Sequence, residues 1–336
     1  MVDRNSPSSA SLSTINSHPS TLLIKPGSLG DVVHALPVAA ALHRAWPAAR
    51  LSWVIDPRWE PVLTGNPAIA ARVPFDRSKY RGPTGLLRAA RWLASLRPLR
   101  PDLTIDLQCL LRSALIAKAA RSQRIVGLSD AREGAGAFYD QAARVTATQH
   151  AVDRYLAVLP LLGISIPERP EFFLGEGEPF TEPLPDDFLL LHPYARGAGK
   201  SLDADAIRGL CERLTPRPVV LAGVGQSPTS LPANVIDLTG RTTLGQLIGL
   251  LRRARAVISV DSGPMHLAAA VGVPLLSIHT WSDPRRVGPY SEAAWIWQGG
   301  ELRRQRLGGE ILPERPITAR DLDAMASWAQ EPQPLA

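Results

Sequence analysis

The chain has 336 residues, 45% of them hydrophobic, enough for two domains of ordinary size and too apolar for a mostly disordered protein. Its two cysteines, Cys109 and Cys211, stand far apart without His or Cys neighbours at metal-ligand spacing. That excludes a disulfide framework or a cysteine metal cluster and reads as two buried, reduced thiols. Net charge is +6, with the excess gathered in residues 71–125, where 12 Lys/Arg stand against 3 Asp/Glu.

The first 20 residues are Ser-rich and polar with no apolar stretch, so they read as a disordered leader and not as an export signal. A reducing cytoplasm fits both this and the thiols. A first strand over 21–25 breaks at Pro-Gly-Ser-Leu-Gly-Asp (26–31), and a helix follows over 32–45. Further strands are expected over 51–55, 72–75 and 103–107, with helices over 58–63, 85–96 and 110–120. A Pro/Glu-rich stretch over 166–187 reads as a linker. Beyond it come strands over 188–192, 218–222, 256–260 and 274–278, with helices over 204–214 and 243–254 and another starting at Pro264. A last helix over 319–329 fits either domain. The longest apolar run, 267–278, has 12 residues with Gly272 and Pro274 inside it. A membrane span needs roughly 20, so this is a buried helix-strand pair. Strands alternating with helices imply parallel sheets covered on both faces. The fold class is therefore α/β, with Rossmann-like domains over 21–165 and 188–336 facing a central cleft, and ligands belong at the carboxyl ends of the strands.

Three strand-end loops are candidates for chemistry. In Lys25-Pro-Gly-Ser-Leu-Gly-Asp31 the two glycines let backbone amides approach a ligand, and Asp31 reads either as a helix cap or as a general base facing the cleft. In Asp261-Ser-Gly-Pro-Met-His266 a polar turn opens a helix with His266 in its first turn. This suits a phosphate, the plain alternative being a capped helix with a core histidine. The stretch 192–201 holds Gly199-Lys200-Ser201, but the first glycine of a Walker motif is replaced by Tyr194. Arg196 and Lys200 there suit a pyrophosphate, and a flexible surface loop is the competing reading. Asp321-Leu-Asp323 has the form of a metal-holding pair, yet it opens the last helix, where acids cap. No G-x-G-x-x-G, G-x-S-x-G or H-E-x-x-H is present, and Trp46, Trp53, Trp59 and Trp92 read as core or cleft wall. The basic segment suits nucleic acid, an anionic membrane or an acidic substrate. The lack of a nucleic-acid module and the few interleaved aromatics disfavour the first, and a solvated arginine-rich face stays open.

Taken together, several segments resemble the lipopolysaccharide heptosyltransferases of glycosyltransferase family 9, most of all their heptosyltransferase I branch. They are 23–37, 106–114, 130–134 with Phe138-Tyr139, 150–154, Ser-Val-Asp-Ser-Gly-Pro-Met-His-Leu-Ala-Ala-Ala (259–270) and 283–290. The resemblance implies a GT-B fold and a metal-independent, inverting transfer of heptose from ADP-heptose to Kdo-lipid A, with no cofactor. It casts Asp31 as the base and Arg196, Lys200, Asp261, Ser262, Gly263 and His266 as donor contacts. It places Lys25, Lys79, Arg81, Arg112 and Arg132 on the acceptor side, facing carboxylates and phosphates that arginine pairs with bidentately. It also implies peripheral attachment to the cytoplasmic face of the inner membrane. The chain departs from the family pattern at Cys109, where glycine is usual, at Gln226, near an often acidic position, and in the Gly-Ala-Gly before Lys200. Alternatives are another family 9 transferase with a different acceptor or donor, a sugar-nucleotide epimerase, or a non-catalytic binding protein. A binder turns over no donor, and only a transferase needs acceptor.

Overall fold

The computed structural model describes residues 19–332 apart from 83, 198, 292 and 306–309. The expected leader, except for its last two residues, lies outside the described residues. The first unit runs β1 (Ser20–Ile24), α1 (Leu29–Ala45), β2 (Arg50–Ile55), β3 (Ala71–Pro74), α2 (Gly85–Ser95), β4 (Leu103–Asp106), α3 (Leu111–Ala119), β5 (Arg124–Leu128), β6 (Gln141–Ala143) and α4 (Ala151–Leu156). The second runs β7 (Leu189–His192), α5 (Ala204–Arg213), β8 (Val219–Gly223), β9 (Val235–Thr239), α6 (Leu244–Arg253), β10 (Ala256–Val260), α7 (Gly263–Val271), β11 (Leu275–His279), α8 (Pro284–Val287), β12 (Trp295–Gln298), β13 (Glu301–Arg304) and α9 (Ala319–Gln330).

The wholly buried strands lie in the middle of the sheets. β4, β7, β10 and β11 are buried along their whole length, as strands covered by helices on both faces must be. The first sheet has the order β3-β2-β1-β4-β5-β6, all parallel. The second repeats the pattern as β12-β11-β10-β7-β8-β9 and adds β13 antiparallel through a Gly299-Gly300 turn with both φ values positive.

Where the expected elements differ, the reasons are local. The helix expected over 58–63 is a 3₁₀ segment, Pro57–Leu63, because Pro57 and Pro61 lack the amides an α-helix needs. β5, β6, β9, β12, β13, α4 and α8 lie outside the elements that the sequence pattern predicts; β6 has only three residues, and β9 alternates with polar side chains. Helix α9 packs on α5, with Leu322, Met325 and Ala326 in one apolar cluster with Ile207, Leu210 and Cys211, so it covers the second sheet. Asp321 accepts from Thr318 N–H (2.8 Å), Trp297 Nε1 (3.1 Å) and Arg315 Nη2 (2.7 Å), an N-terminal cap and not half of a metal pair. Both cysteines are buried and outside any disulfide, and burial pushes both thiols up to about 12, so neither is a thiolate at neutral pH.

Candidate active site

In this strand order a crevice opens where connections leave neighbouring strands in opposite directions, between β1 and β4 in one sheet and between β7 and β10 in the other. The loops after β1, β7 and β10 face one another across a cleft of about 1110 Å³. Asp31 comes from the first, Arg196 and Lys200 from the second, and Asp261, Ser262, Gly263 and His266 from the third; all seven line the cleft.

The helix begins at Leu29, three residues before the start that the sequence suggests, so Asp31 is the third residue of α1 and Ser28 is the cap. Its Oδ2 accepts from the Ser28 N–H and Oγ, both at 2.9 Å. Its Oδ1 accepts from Tyr155 Oη at 2.8 Å and lies 3.4 Å from Lys25 Nζ. A carboxylate has about four acceptor positions, and these bonds use three, leaving capacity toward the open cleft. Burial pushes the carboxyl up, but the Lys25 charge and the Tyr155 and Ser28 hydrogen bonds outweigh it and hold it below the ordinary carboxylate value. Asp31 is therefore ionised at neutral pH, capping with one oxygen while the other can receive a proton.

The loop glycines have a different reason from the expected approach of a ligand. A Cβ on Gly30 would lie 2.7 Å from His266 Cδ2, one on Gly263 would lie 2.6 Å from Leu29 Cδ2, and one on Gly27 would meet Trp59 Nε1 at 2.8 Å. Gly30 and Gly263 permit α1 of the first unit to pack directly on α7 of the second, and Gly27 leaves room for the Trp59 ring of its own unit. At that contact His34 Nε2 lies 3.0 Å from His266 Nδ1, and nearby His150 Nε2 lies 3.1 Å from the Gly288 carbonyl oxygen. Burial lowers all three imidazoles, so the cluster is neutral at physiological pH.

The opposite wall carries the fixed positive charge. Ser262 caps α7, its Oγ donating to the Val260 carbonyl oxygen at 3.2 Å and lying 3.3 Å from His192 Nδ1. In the first turn of α7 Pro264 has no N–H and the Met265 N–H donates to the Ser262 carbonyl oxygen at 3.1 Å, so it is the Gly263 N–H and the positive end of the helix dipole that open onto the cleft beside Ser262. Lys200 Nζ sits 3.7 Å over the Trp281 ring, and Arg196 reaches across to the Trp59 ring at 5.5 Å. Burial lowers His192 to about 4, so Arg196, Lys200 and the helix end supply the charge here, not the histidines. Among the described residues no three His, Cys, Asp or Glu side chains are grouped so as to hold a metal ion.

Comparison with known proteins agrees with this layout. The glycosyltransferase family 9 (heptosyltransferase) profile matches residues 90–306. Lipopolysaccharide heptosyltransferase 1 of Pseudomonas aeruginosa is 30% identical over 289 residues, 81% of each chain. The chain belongs to glycosyltransferase family 9. Within the family, lipopolysaccharide heptosyltransferase 3 of Escherichia coli K12 is 23% identical over 327 residues, covering 86% of this chain and 93% of that one. The structure of E. coli heptosyltransferase WaaC with ADP superposes with a TM-score of 0.73 at 21% identity, covering 94% of this chain and all of that one. The architecture is thus GT-B, and the protein is a glycosyltransferase of the heptosyltransferase type.

The residues expected on the acceptor side of this transferase lie elsewhere than on the cleft wall. Lys25 is only 4% exposed, beneath Asp31, donating to the Leu107 carbonyl oxygen at 3.2 Å and facing the Tyr155 ring. Its place makes it a charge partner of Asp31 and keeps it out of reach of an acceptor. Lys79, Arg81 and Arg132 are exposed and Arg112 half-buried, around the carboxyl edge of the first sheet outside the cleft. Arg112 is lowered by burial and by the neighbouring charges of Arg77 and Arg132. The departures from the family are local: Cys109 keeps the left-handed backbone, φ +57, that glycine adopts readily, and Gln226 is exposed and off the cleft wall.

Sequence reasoning missed Tyr155, Arg154 and Trp281. Tyr155 and Arg154 lie on α4, a helix too short to declare itself by periodicity. Arg154 lines the cleft, ion-pairs with Asp130 and keeps its Nε buried without a hydrogen-bond partner. Trp281 is an exposed aromatic beside Lys200, and its only signal in the sequence is its place after a strand.

Proposed function

We propose that this glycosyltransferase transfers L-glycero-D-manno-heptose from ADP-heptose to Kdo-lipid A, with inversion, in inner-core lipopolysaccharide synthesis at the cytoplasmic face of the inner membrane. The observation that carries the reading is the opposition across one cleft of an ionised, partly open Asp31 and the wall of Arg196, Lys200 and the α7 N-terminus. Donor and acceptor would meet between them. An acceptor hydroxyl attacks the anomeric carbon as its proton passes to Asp31 Oδ1, while the bond from that carbon to the β-phosphate oxygen breaks and ADP departs with the electron pair. Lys200, Arg196, the Ser262 hydroxyl and the Gly263 amide answer the charge on the leaving diphosphate. Asp261 and His266 would shape the donor pocket, and the chain's own cations supply the neutralisation that a metal ion provides elsewhere. Lys79, Arg81, Arg112 and Arg132 would meet the acceptor's carboxylates and phosphates at the rim, and Arg154 deeper in the cleft.

Support for the heptose donor comes from the relatives above. Relatives of both the heptosyltransferase 1 and 3 types appear among them, so the acceptor is the part most in need of measurement. The test is ADP release from ADP-heptose by the purified protein, with and without Kdo-lipid A, in chelator. Release that requires Kdo-lipid A and survives chelation is expected. Release only with a heptosylated core acceptor would move the enzyme to a later step, and release without acceptor would point to hydrolysis or epimerisation.

A further inference from the structure

Helices α2 and α3 cover the same face of the first sheet. Trp92 and Leu93 of α2 and Ile116 and Ala117 of α3 share one apolar cluster with Leu22, Ile24 and Val54 of the strands beneath. A helix with one face so engaged ordinarily turns polar residues outward. Here the outward side is leucine and arginine. Leu86 is 79% and Leu87 55% exposed at the start of α2; Leu111 and Leu115, one turn apart on α3, are exposed beside them. Half of the ten large apolar side chains exposed among the described residues lie between Leu86 and Leu115. From residue 77 to 101 the sequence has seven Lys/Arg and no Asp or Glu. Among the described residues Arg77, Arg81, Arg88 and Arg91 make no ion pair, whereas Arg58, Arg154 and Arg285 each have a carboxylate partner.

The position matters as much as the composition. α3 begins just past the carboxyl end of β4, and α2 follows the turn that leaves the carboxyl end of β3. In a parallel sheet those ends lie on the same edge as the Asp31 loop. The leucines and free arginines therefore flank the mouth of the cleft on its acceptor side.

We propose that the outer side of α2 and α3 docks on an anionic phospholipid surface, with Leu86, Leu87, Leu111 and Leu115 entering the acyl boundary and Arg88 and Arg91 meeting lipid phosphates. The pairing of exposed leucines with unopposed positive charge is what an interfacial helix needs, since the apolar side chains insert while the cations hold the headgroups. A second copy of the chain carrying the same unopposed charge would be repelled from this face, which favours lipid over self-association. The proposal rests on the reading that the acceptor is a glycolipid, and it supplies a reason for the geometry: the acyl chains stay in the bilayer while the sugar headgroup turns up into the cleft.

The experiment is flotation of the full chain with phosphatidylcholine vesicles, with and without about one third phosphatidylglycerol. The intact protein should float with the anionic vesicles and not with the neutral ones. Leu86→Ser/Leu87→Ser should cut the bound fraction about tenfold even at low salt. Arg88→Glu/Arg91→Glu should cut it as strongly, and should also remove the salt sensitivity of what binding remains. These side chains point to solvent, so unchanged thermal melting serves as the control for folding. Binding by both variants equal to that of the parent overturns the proposal, as does a parent dimer that Leu86→Ser/Leu87→Ser dissociates, or failure of the parent to bind anionic vesicles. Turnover of an acceptor stripped of its acyl chains separates the two readings. If the parent and the leucine variant turn it over equally while vesicle binding fails, only the docking surface is lost; if neither turns over any Kdo-bearing acceptor, the proposed reaction is lost.

Discussion

On the cleft floor Lys25 is 4% exposed, touching Asp31, the Leu107 carbonyl and the Tyr155 ring, whereas on the rim the Lys79 side chain is 68% exposed with an ion pair to Asp76 at 3.6 Å. Both are cations on the same domain. The first is locked in low-polarity surroundings, where its charge acts strongly on one carboxylate; the second sits in water, where each contact is weak and screened. The difference assigns chemistry to the floor and recognition to the rim. Variants of the floor should change kcat, and variants of the rim should change the acceptor KM.

The largest effect should come from Asp31→Asn. It keeps the Ser28 cap nearly isosteric but removes the proton acceptor, so kcat should fall by about 10²–10⁴ with ADP affinity almost unchanged. A matching loss of ADP binding would make Asp31 a structural cap and break the comparison. Acid should act next. His34, His150, His192, His266 and His279 are all lowered by burial, His192 and His279 to about 4. The unfolded chain protonates each near 6.5, so the stability from keeping them neutral is complete above that pH and is lost as pH falls from 6.5 toward 4. The loss is about 1.4 kcal/mol per pH unit for each histidine. Thermal melting between pH 7 and 5 should show a steep decline, and His34→Gln should flatten part of it; a flat profile would show the cluster to be solvated.

Tyr155→Phe removes one hydrogen bond to the floor carboxylate. The acid limb of kcat/KM should move to higher pH, since the Asp31 carboxyl loses a partner that holds it down, and kcat should fall by about tenfold with acceptor KM unchanged. An unmoved limb would leave Tyr155 as packing only. Lys79→Ala/Arg81→Ala, the mildest change, should raise the acceptor KM by several-fold, more at low salt, and leave kcat alone. A fall in kcat here would erase the distinction between floor and rim.

Much of this site was legible because a strand, a polar glycine turn and a helix start lie within a few residues of one another. The 26–31 and 261–266 loops and the alternating strands declared two βα units and the ends where ligands sit. Local pattern could also name Asp31, because a helix-start acid after a strand is a short-range signal. It could not choose between cap and base, since that depends on what faces the second oxygen. Tyr155 lies 124 residues from Asp31, and His266 lies 232 from His34. Nor could it say that Gly30 and Gly263 are small because another domain presses on them, or that Lys25 is turned inward. Hydrophobic period and turn chemistry act over a few residues, and so the sequence determined the elements and their loops. Burial, charge partnership and the meeting of two crevices arise from contacts between distant segments, and those only the tertiary structure decided.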